Sequence, residues 1–414
     1  MREWGFIDEE LTRLRELHQL RSLRCVGLGG SHHLQYEGRT LLNFSSNDYL
    51  GLADRPEVKR AAQDAIERYQ AGPGASRLIC GNLDIHEQLE CEIARFKNRE
   101  SALLFSSGYM TNLGILTALA DGEDQIFSDA LNHASIVDGC RLSRARTFVY
   151  RHKDSNHLEM LLCCAPTCRR KLIVSDAVFS MDGDVAELPD LLQLSEKYDA
   201  LLVIDEAHST GVLGRNGRGI EELFLEQKRI APNGCRIDLI MGTLSKALGS
   251  FGGFVACSAA LREWLVNKAR TLIFSTALPA SAAGAALASL ALIQETNSLQ
   301  ETLWRNQRLF RDSLRMSHFD IGGSVTPIVP VIFGSDQSAV TVSERLIECG
   351  YFVPAIRPPT VPQGSSRLRV TLSAAHSANE VEGLAQAIIK CAAESASGSG
   401  QRLKSTAVRG AETE

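Results

Sequence analysis

The sequence predicts an α/β protein with a large, mostly parallel sheet domain followed by a small α+β domain. Three observations carry this. From residue 84 onward, β-rich runs alternate with helical segments, the pattern of strand–helix–strand units. Two of the runs, 200–205 and 238–243, are short and almost wholly apolar, and they break into polar residues at their carboxyl ends. Buried parallel strands deliver side chains to a crevice in this way. After about residue 295 the character shifts to charged amphipathic helices between short strands. The expected organisation is a helix-and-strand segment over 1–50, a large domain over 51–290, a small domain over 291–394 and a disordered tail over 395–414.

In chain order, Leu11, Leu14, Leu17 and Leu20 recur at helical spacing among Arg and Glu, so an amphipathic helix is expected within the first 25 residues. Gly27, Gly29 and Gly30 read as a turn, because no helix start follows them. A strand at 41–44 runs into the polar loop from Ser45 to Gly51, which carries Asn47 and an aromatic, Tyr49. Pro56 at a first helical position opens a helix to Tyr69. The loop Ala71-Gly72-Pro73-Gly74-Ala75-Ser76-Arg77 demands backbone angles outside the usual basins, for a tight turn or for close approach to a ligand.

Helices are then expected at 84–97, 109–120, 132–143 and 155–164, alternating with strands at 101–106, 125–128, 146–150 and 171–176. Strands at 200, 238 and 253–257 continue the sheet. The uncharged run 271–294 has the length of a membrane span. Pro279 and the many Ala, Ser and Gly residues point instead to a tightly packed helix over 279–295. A second helix to about 316, a strand at 327–333, a helix at 336–349, strands at 351–355 and 367–372 and a helix at 378–394 make up the small domain. The Ser- and Gly-rich stretch from Ser395 cannot bury enough apolar surface to order itself.

Composition excludes several classes. Hydrophobic residues make up 44% and charged residues 22% of the chain, ordinary values for a globular protein. A net charge of -5 offers no basic footprint for nucleic acid. The 11 cysteines lack paired spacings, which fits a reducing compartment. Cys163, Cys164 and Cys168 are too close, and lack a second arm, for a tetrahedral metal site; no metal is expected. The first residues show no apolar targeting core, so a cytoplasmic location is expected.

The chemistry is concentrated in two stretches. Asp205-Glu206-Ala207-His208 follows the first apolar run, and Thr243-Leu244-Ser245-Lys246 follows the second. An acid, a histidine and a lysine on one crevice suit pyridoxal-phosphate catalysis: the lysine holds the aldehyde covalently and the buried acid keeps the pyridine nitrogen protonated. Thr243 and Gly242 are placed to meet a phosphate. Asp-Glu-Ala-His also occurs in helicases, but those need a Gly-x-x-x-x-Gly-Lys-Ser/Thr loop, which this chain lacks.

Other candidates lie at strand ends. Ser106, Ser107, Gly108 and Tyr109 precede a helix whose first N–H groups can seat phosphate. His133, at another such junction, is either a helix cap or a flat partner for a cofactor ring. Phe179-Ser180-Met181-Asp182-Gly183-Asp184 presents a hydroxyl and two acids, at spacings that do not make a calcium loop. Arg367 and Arg369 share one strand face. They either meet a substrate carboxylate or close an internal salt bridge.

With these residues in hand, the chain resembles the α-oxoamine synthase family of fold-type-I pyridoxal-phosphate enzymes. The resemblance runs from about residue 10 to 390 and rests on 43–51, His133-Ala134-Ser135, 179–184, 205–211 and Thr243 to Lys246. The stretch Ala355 to Pro362 is similar to the branch that uses a pimeloyl thioester. The resemblance implies a decarboxylating acyltransferase that joins L-alanine to pimeloyl coenzyme A or pimeloyl acyl carrier protein in biotin synthesis. It implies that Lys246 holds the cofactor and moves the Cα proton, Asp205 faces the ring nitrogen and His133 stacks on the ring. Ser180 and His208 then bond the phenolic oxygen, and Gly108, Tyr109 and Thr243 hold ring or phosphate. Asn47 and Arg369 are implied for the amino-acid carboxylate and Arg21 and Thr360 for further substrate contacts. Thr276, beside Ser275, reaches the phosphate of a neighbouring subunit, which implies a homodimer with shared sites. Pro73 stiffens a loop where the family more often has glycine. A sister activity with another acyl donor or amino acid, or a non-catalytic subunit of the same fold, is the alternative; the presence of Lys246 argues against the latter.

Overall fold

The computed structural model describes residues 4–16, 20–21, 23–30, 32–234 and 236–398. Its centre is a seven-stranded sheet in the order Ser101–Phe105, Gly253–Cys257, Leu239–Thr243, Ala200–Asp205, Lys171–Asp176, Gln125–Asp129, Arg146–Tyr150. Gly253–Cys257 runs antiparallel to both its neighbours; the other pairings are parallel. Three of the strands are buried along their whole length and three more at all but one residue, as their apolar runs require; the edge strand Arg146–Tyr150 is largely exposed. Helices cover both faces, so every strand of the parallel run ends at one common edge.

The helix Ala280–Glu295 packs on Pro56–Tyr69. A Cβ on Gly284 would stand 2.6 Å from the Ala61 carbonyl, so the small residues of this run serve close helix packing. Among the described residues, no helix is long and apolar enough to cross a membrane.

The small domain carries a three-stranded antiparallel sheet ordered Ile328–Gly334, Ser366–Thr371, Ala355–Ile356. The N-terminal strands Gly27–Leu28, His33–Tyr36 and Arg39–Asn43 form a hairpin sheet that ends in parallel pairing with Tyr351–Phe352. The N-terminal segment is therefore built onto the small domain. Gly183, at φ 68°, lies where a Cβ would meet the Ile328 carbonyl at 2.0 Å. At that point the small domain closes on the 179–184 loop, and only glycine fits.

Most expected elements are present within a residue or two at their ends. The first helix is confined to Gly5–Glu16 and buries none of its residues. The last helix continues to Gly398, past Ser395; the remaining tail lies outside the described residues. The sequence reading passed over the strand His33–Tyr36 and the helices Leu188–Lys197, Ile220–Glu226 and Ala259–Lys268. Two of these helices carried start signals: Pro189 sits in a first turn, and Ser258 caps Leu261 N–H, both recognised devices.

Candidate active site

At the carboxyl edge of the large sheet lies a cavity of about 230 Å³. Gly108, Tyr109, His133, Ser180, Asp205, His208, Thr243 and Lys246 all line it. Residues far apart in sequence are brought together because their strands end side by side.

Lys246 follows the Leu239–Thr243 strand, and its Nζ is 2.8 Å from His208 Nε2. Burial pushes the amine down to about 8, against the pull of Asp205 and Asp176 and with help from Arg369. It is therefore close to a usable free base at neutral pH. On the other side of His208, Nδ1 is 2.5 Å from Tyr49 Oη. Burial, and then the positive charges of Lys246 and Arg369, hold this histidine well below its ordinary pKa.

Asp205 is 4% exposed. Its Oδ2 accepts from Asn112 Nδ2 at 2.7 Å, and its Oδ1 accepts from Ala207 N–H at 2.8 Å. Asp176 ends the neighbouring strand in direct register with Asp205 and also faces the cavity. Burial, then the charge of Asp205, holds Asp176 well above the ordinary carboxylate range. It accepts the His133 backbone N–H at 2.7 Å.

His133 is a helix cap, and it also lines the cavity. It caps the helix Ala134–Ser143 through Ser135 N–H. Ser135 Oγ, 2.7 Å from Nδ1, fixes the ring. Burial lowers its pKa, which favours a neutral imidazole.

The helix Gly108–Leu119 begins at the cavity, with Ser107 Oγ accepting from Met110 N–H. The first-turn N–H groups of Gly108 and Tyr109 have no partner inside a helix, and they face the same space. A Cβ on Gly108 would come within 3.0 Å of Met241 Cε, so the helix start lies close against the strand ends. The Thr243 hydroxyl donates to the Gly252 carbonyl at 2.8 Å. Ser245, exposed beside it, also lines the cavity. Gly242 does not line it; a Cβ there would strike the Phe254 ring at 2.3 Å, so packing explains this glycine.

The two arginines divide the two expected outcomes. Arg367 pairs with Asp182 at 2.6 Å. Arg369 makes no ion pair among the described residues. It donates to neutral oxygens instead: the Ser180 carbonyl, Asn47 Oδ1 at 3.2 Å and Thr371 Oγ1 at 3.0 Å. This guanidinium is thus only 8% exposed, with neutral acceptors as its partners among the described residues. Arg21 and Thr360 meet at 3.3 Å, through Arg21 Nη2 and Thr360 Oγ1. Thr276 is not on the cavity wall of its own chain; its carbonyl accepts from Ser106 Oγ at 3.0 Å.

Sequence reasoning missed Asp176, Asn112, Ser135 and Ser245, and gave Tyr49 no role. Asp176 had a visible signal, since it ends an apolar run just as Asp205 does. Asn112 sits one helical turn inside its helix, where nothing in the sequence marks it.

The set fits pyridoxal phosphate. It offers an amine of lowered pKa, a buried acid with both oxygens held from the protein side, a flat imidazole on the wall and a helix start for phosphate.

The family model for aminotransferases of class I and II matches residues 39–388. The chain is 51% identical to an 8-amino-7-oxononanoate synthase of Geobacter sulfurreducens, over 91% of this chain and 95% of that one. It is 48% identical to the synthase of the same name from Anaeromyxobacter dehalogenans, over 92% and 94%. Among solved structures it is similar to the serine palmitoyltransferase of Sphingomonas wittichii, with TM-score 0.86 and 29% identity over 96% and 98% of the chains. It is also similar to the 8-amino-7-oxononanoate synthase of Francisella tularensis, with TM-score 0.72 and 30% identity over 86% and 98%. The backbone is thus shared across acyl donors while sequence identity singles out one group: the chain belongs to the class I and II aminotransferase family and, within it, to the family of the 8-amino-7-oxononanoate synthases.

Proposed function

We propose that the protein is a pyridoxal-phosphate-dependent acyltransferase that condenses L-alanine with a pimeloyl thioester. The products are 8-amino-7-oxononanoate, carbon dioxide and the free thiol of coenzyme A or acyl carrier protein, and the step serves biotin synthesis in the cytoplasm. The observation that carries this reading is the convergence of Lys246, His208 and Asp205 in one cavity, with Arg369 nearby and without an ion pair among the described residues.

When bound, pyridoxal phosphate supplies an aldehyde for the amine of the amino acid and a protonated ring that accepts the electron pair left at Cα. Asp205 keeps the ring nitrogen protonated, and Asn112 and the Ala207 N–H hold its carboxylate in place. His133 would stack on the ring, while Ser180 and His208 bond its phenolic oxygen. Gly108, Tyr109, Thr243 and the neighbouring Ser245 would cradle the phosphate. Arg369 and Asn47 take the alanine carboxylate, the group later lost as carbon dioxide. Lys246, once free, removes the Cα proton, and its pKa of about 8 suits it to that task near neutral pH. His208, 2.8 Å away, orients the amine. Arg21 and Thr360, in contact with each other, would make further substrate contacts. Thr276 would act on the phosphate of a partner subunit, which makes the working form a homodimer with shared sites.

Thiol release tests the substrate pair: L-alanine, glycine and L-serine are each offered with pimeloyl, acetyl and palmitoyl thioesters. Turnover confined to alanine with the pimeloyl donor is expected. A preference for another pair would keep the cofactor and the lysine but replace the substrates proposed here.

A further inference from the structure

We propose a transition-metal site, separate from the active-site cavity, formed by His32, His33 and Glu380. One ligand atom from each lies within 4.8 Å of the other two. The site joins the N-terminal hairpin to the start of the last helix, two parts of the chain that are some 350 residues apart.

The backbone presents the two imidazoles from fixed positions. The His32 carbonyl accepts Asn43 N–H at 2.8 Å, and the His33 carbonyl accepts Gly29 N–H at 3.1 Å. His33 also pairs with Leu42 across the hairpin. The two rings lie 4.3 Å apart between centroids. Glu380 is in the first turn of Ala378–Gly398, and its two oxygens have different duties. Oε2 accepts from Ser377 N–H at 2.7 Å and from Ser377 Oγ at 2.9 Å. Oε1 is turned to His32 Nε2 at 3.4 Å. A carboxylate with one oxygen held by neighbouring donors and the other aimed at an imidazole has the outer support that metal-ligating acids have. All three side chains are half-buried, so the cluster lies at the protein surface rather than in the core.

A nearby third imidazole is excluded as a ligand. His376 lies 5.7 Å from His32, but its Nδ1 accepts Ser373 N–H and its Nε2 is 3.1 Å from the Asn43 carbonyl.

Two imidazoles and one carboxylate select zinc or a neighbouring late first-row divalent ion over magnesium or calcium, which prefer all-oxygen shells. Bonds of about 2 Å place tetrahedral ligands roughly 3.3 Å apart, so side-chain rotations of about an ångström complete the site. No sequence spacing reveals this, because the third ligand comes from the other end of the chain. The bound ion would pin the segment that follows Arg21 to the small domain.

The test uses the tag-free, full-length protein loaded with its cofactor and stripped of metal by a chelator. Zinc chloride is titrated by calorimetry, and cobalt(II) is read by absorbance. One equivalent per chain is expected, with a Kd in the micromolar range or tighter. Cobalt should show visible bands without near-ultraviolet thiolate charge transfer, which separates this site from the many free cysteines. His33→Ala and Glu380→Gln should each weaken zinc binding at least about tenfold and remove the zinc-dependent rise in Tm. Glu380→Gln keeps the side-chain shape, so it decides the matter if His33→Ala folds poorly. Absence of a tight equivalent, a thiolate-dominated cobalt spectrum, or zinc affinity unchanged in Glu380→Gln would overturn the site and leave a plain His32–Glu380 ion pair.

Discussion

Three neighbouring strands of the large sheet end in aspartate at the same edge, Asp129, Asp176 and Asp205, and the protein treats the first unlike the other two. Asp129 is matched: His152 Nδ1 meets its Oδ1 at 2.9 Å, and Lys153 N–H donates to its Oδ2 at 2.9 Å. The other nitrogen of His152 reaches Asp184 at 3.0 Å, and Lys153 Nζ is 3.2 Å from the same carboxylate. Burial would lower the His152 pKa, but the two carboxylates outweigh it and raise it to about 9. Asp176 and Asp205 have no ion pair among the described residues. Beside them, burial holds Lys246 near 8 and His208 far below its ordinary value. One cluster satisfies itself, whereas the acids and the amine of the other form no ion pair among the described residues. Unmatched buried charge in a cleft is a signature of chemistry, and matched charge is a signature of structure.

The hardest way to break this comparison is Lys246→Ala. Activity should fall by at least about 10⁴-fold, and the cofactor's covalent absorbance band should vanish. Compared without cofactor, the Tm should hold or rise, because a buried amine with no ion pair among the described residues is gone. Retained turnover, or a collapse in Tm, would mean that Lys246 belongs with the structural cluster. Next come the two unmatched acids taken separately. Asp205→Asn should lower kcat/KM about 10²- to 10³-fold by removing a preorganised charge. Asp176→Asn resembles the protonated acid that burial favours, so it should change kcat/KM by less than about threefold. Equal losses at both positions would show that the pair shares its charge.

Much of this edge was legible before the structure. Asp205, His208 and Lys246 each follow an apolar run, and a run that ends in polar residues announces the crevice. The large sheet was legible for a similar reason, since its central strands are buried on both sides and read as mostly apolar stretches. What escaped was set by tertiary contact. Asn112 faces Asp205 from inside an apolar helix, and Tyr49 meets His208 from 159 residues away. The separate fates of Arg367 and Arg369 depend on Asp182 standing under only one of them. Strand alternation could place both guanidinium groups on one face but could not tell them apart. Gly242 was read as a phosphate contact because of where it lies in sequence, yet the Phe254 ring accounts for it.

A gentler probe is the pH at which the cofactor-free protein captures pyridoxal phosphate. Only the neutral amine attacks the aldehyde, so below about 8 the rate should climb roughly tenfold per pH unit and then level. Stopped-flow absorbance checks this. A rate still climbing near pH 10 would show that Lys246 is an ordinary solvated lysine and that its burial does no chemical work.

The smallest expected effect sits in the matched cluster. His152→Ala should leave the cofactor affinity within about threefold of wild type and should cost about 1 kcal/mol of stability at neutral pH, the scale of a partly exposed charge-assisted contact. The pH dependence distinguishes this from loss of packing against Phe179, which the His152 ring meets edge-on at 4.3 Å. The folded-state pKa of about 9 lies above the ordinary histidine value of about 6.5, so the folded protein holds this proton more tightly than the unfolded chain does. The electrostatic contribution is therefore fully present below about 6.5 and is lost as pH rises through about 9. Urea unfolding of wild type and variant at pH 6, 7.5 and 9.5 should show the gap narrowing as pH rises. A gap of the same size at all three would assign His152 to packing alone, and Asp129 would then owe its quiet state to backbone donors such as the Lys153 and Leu131 N–H groups.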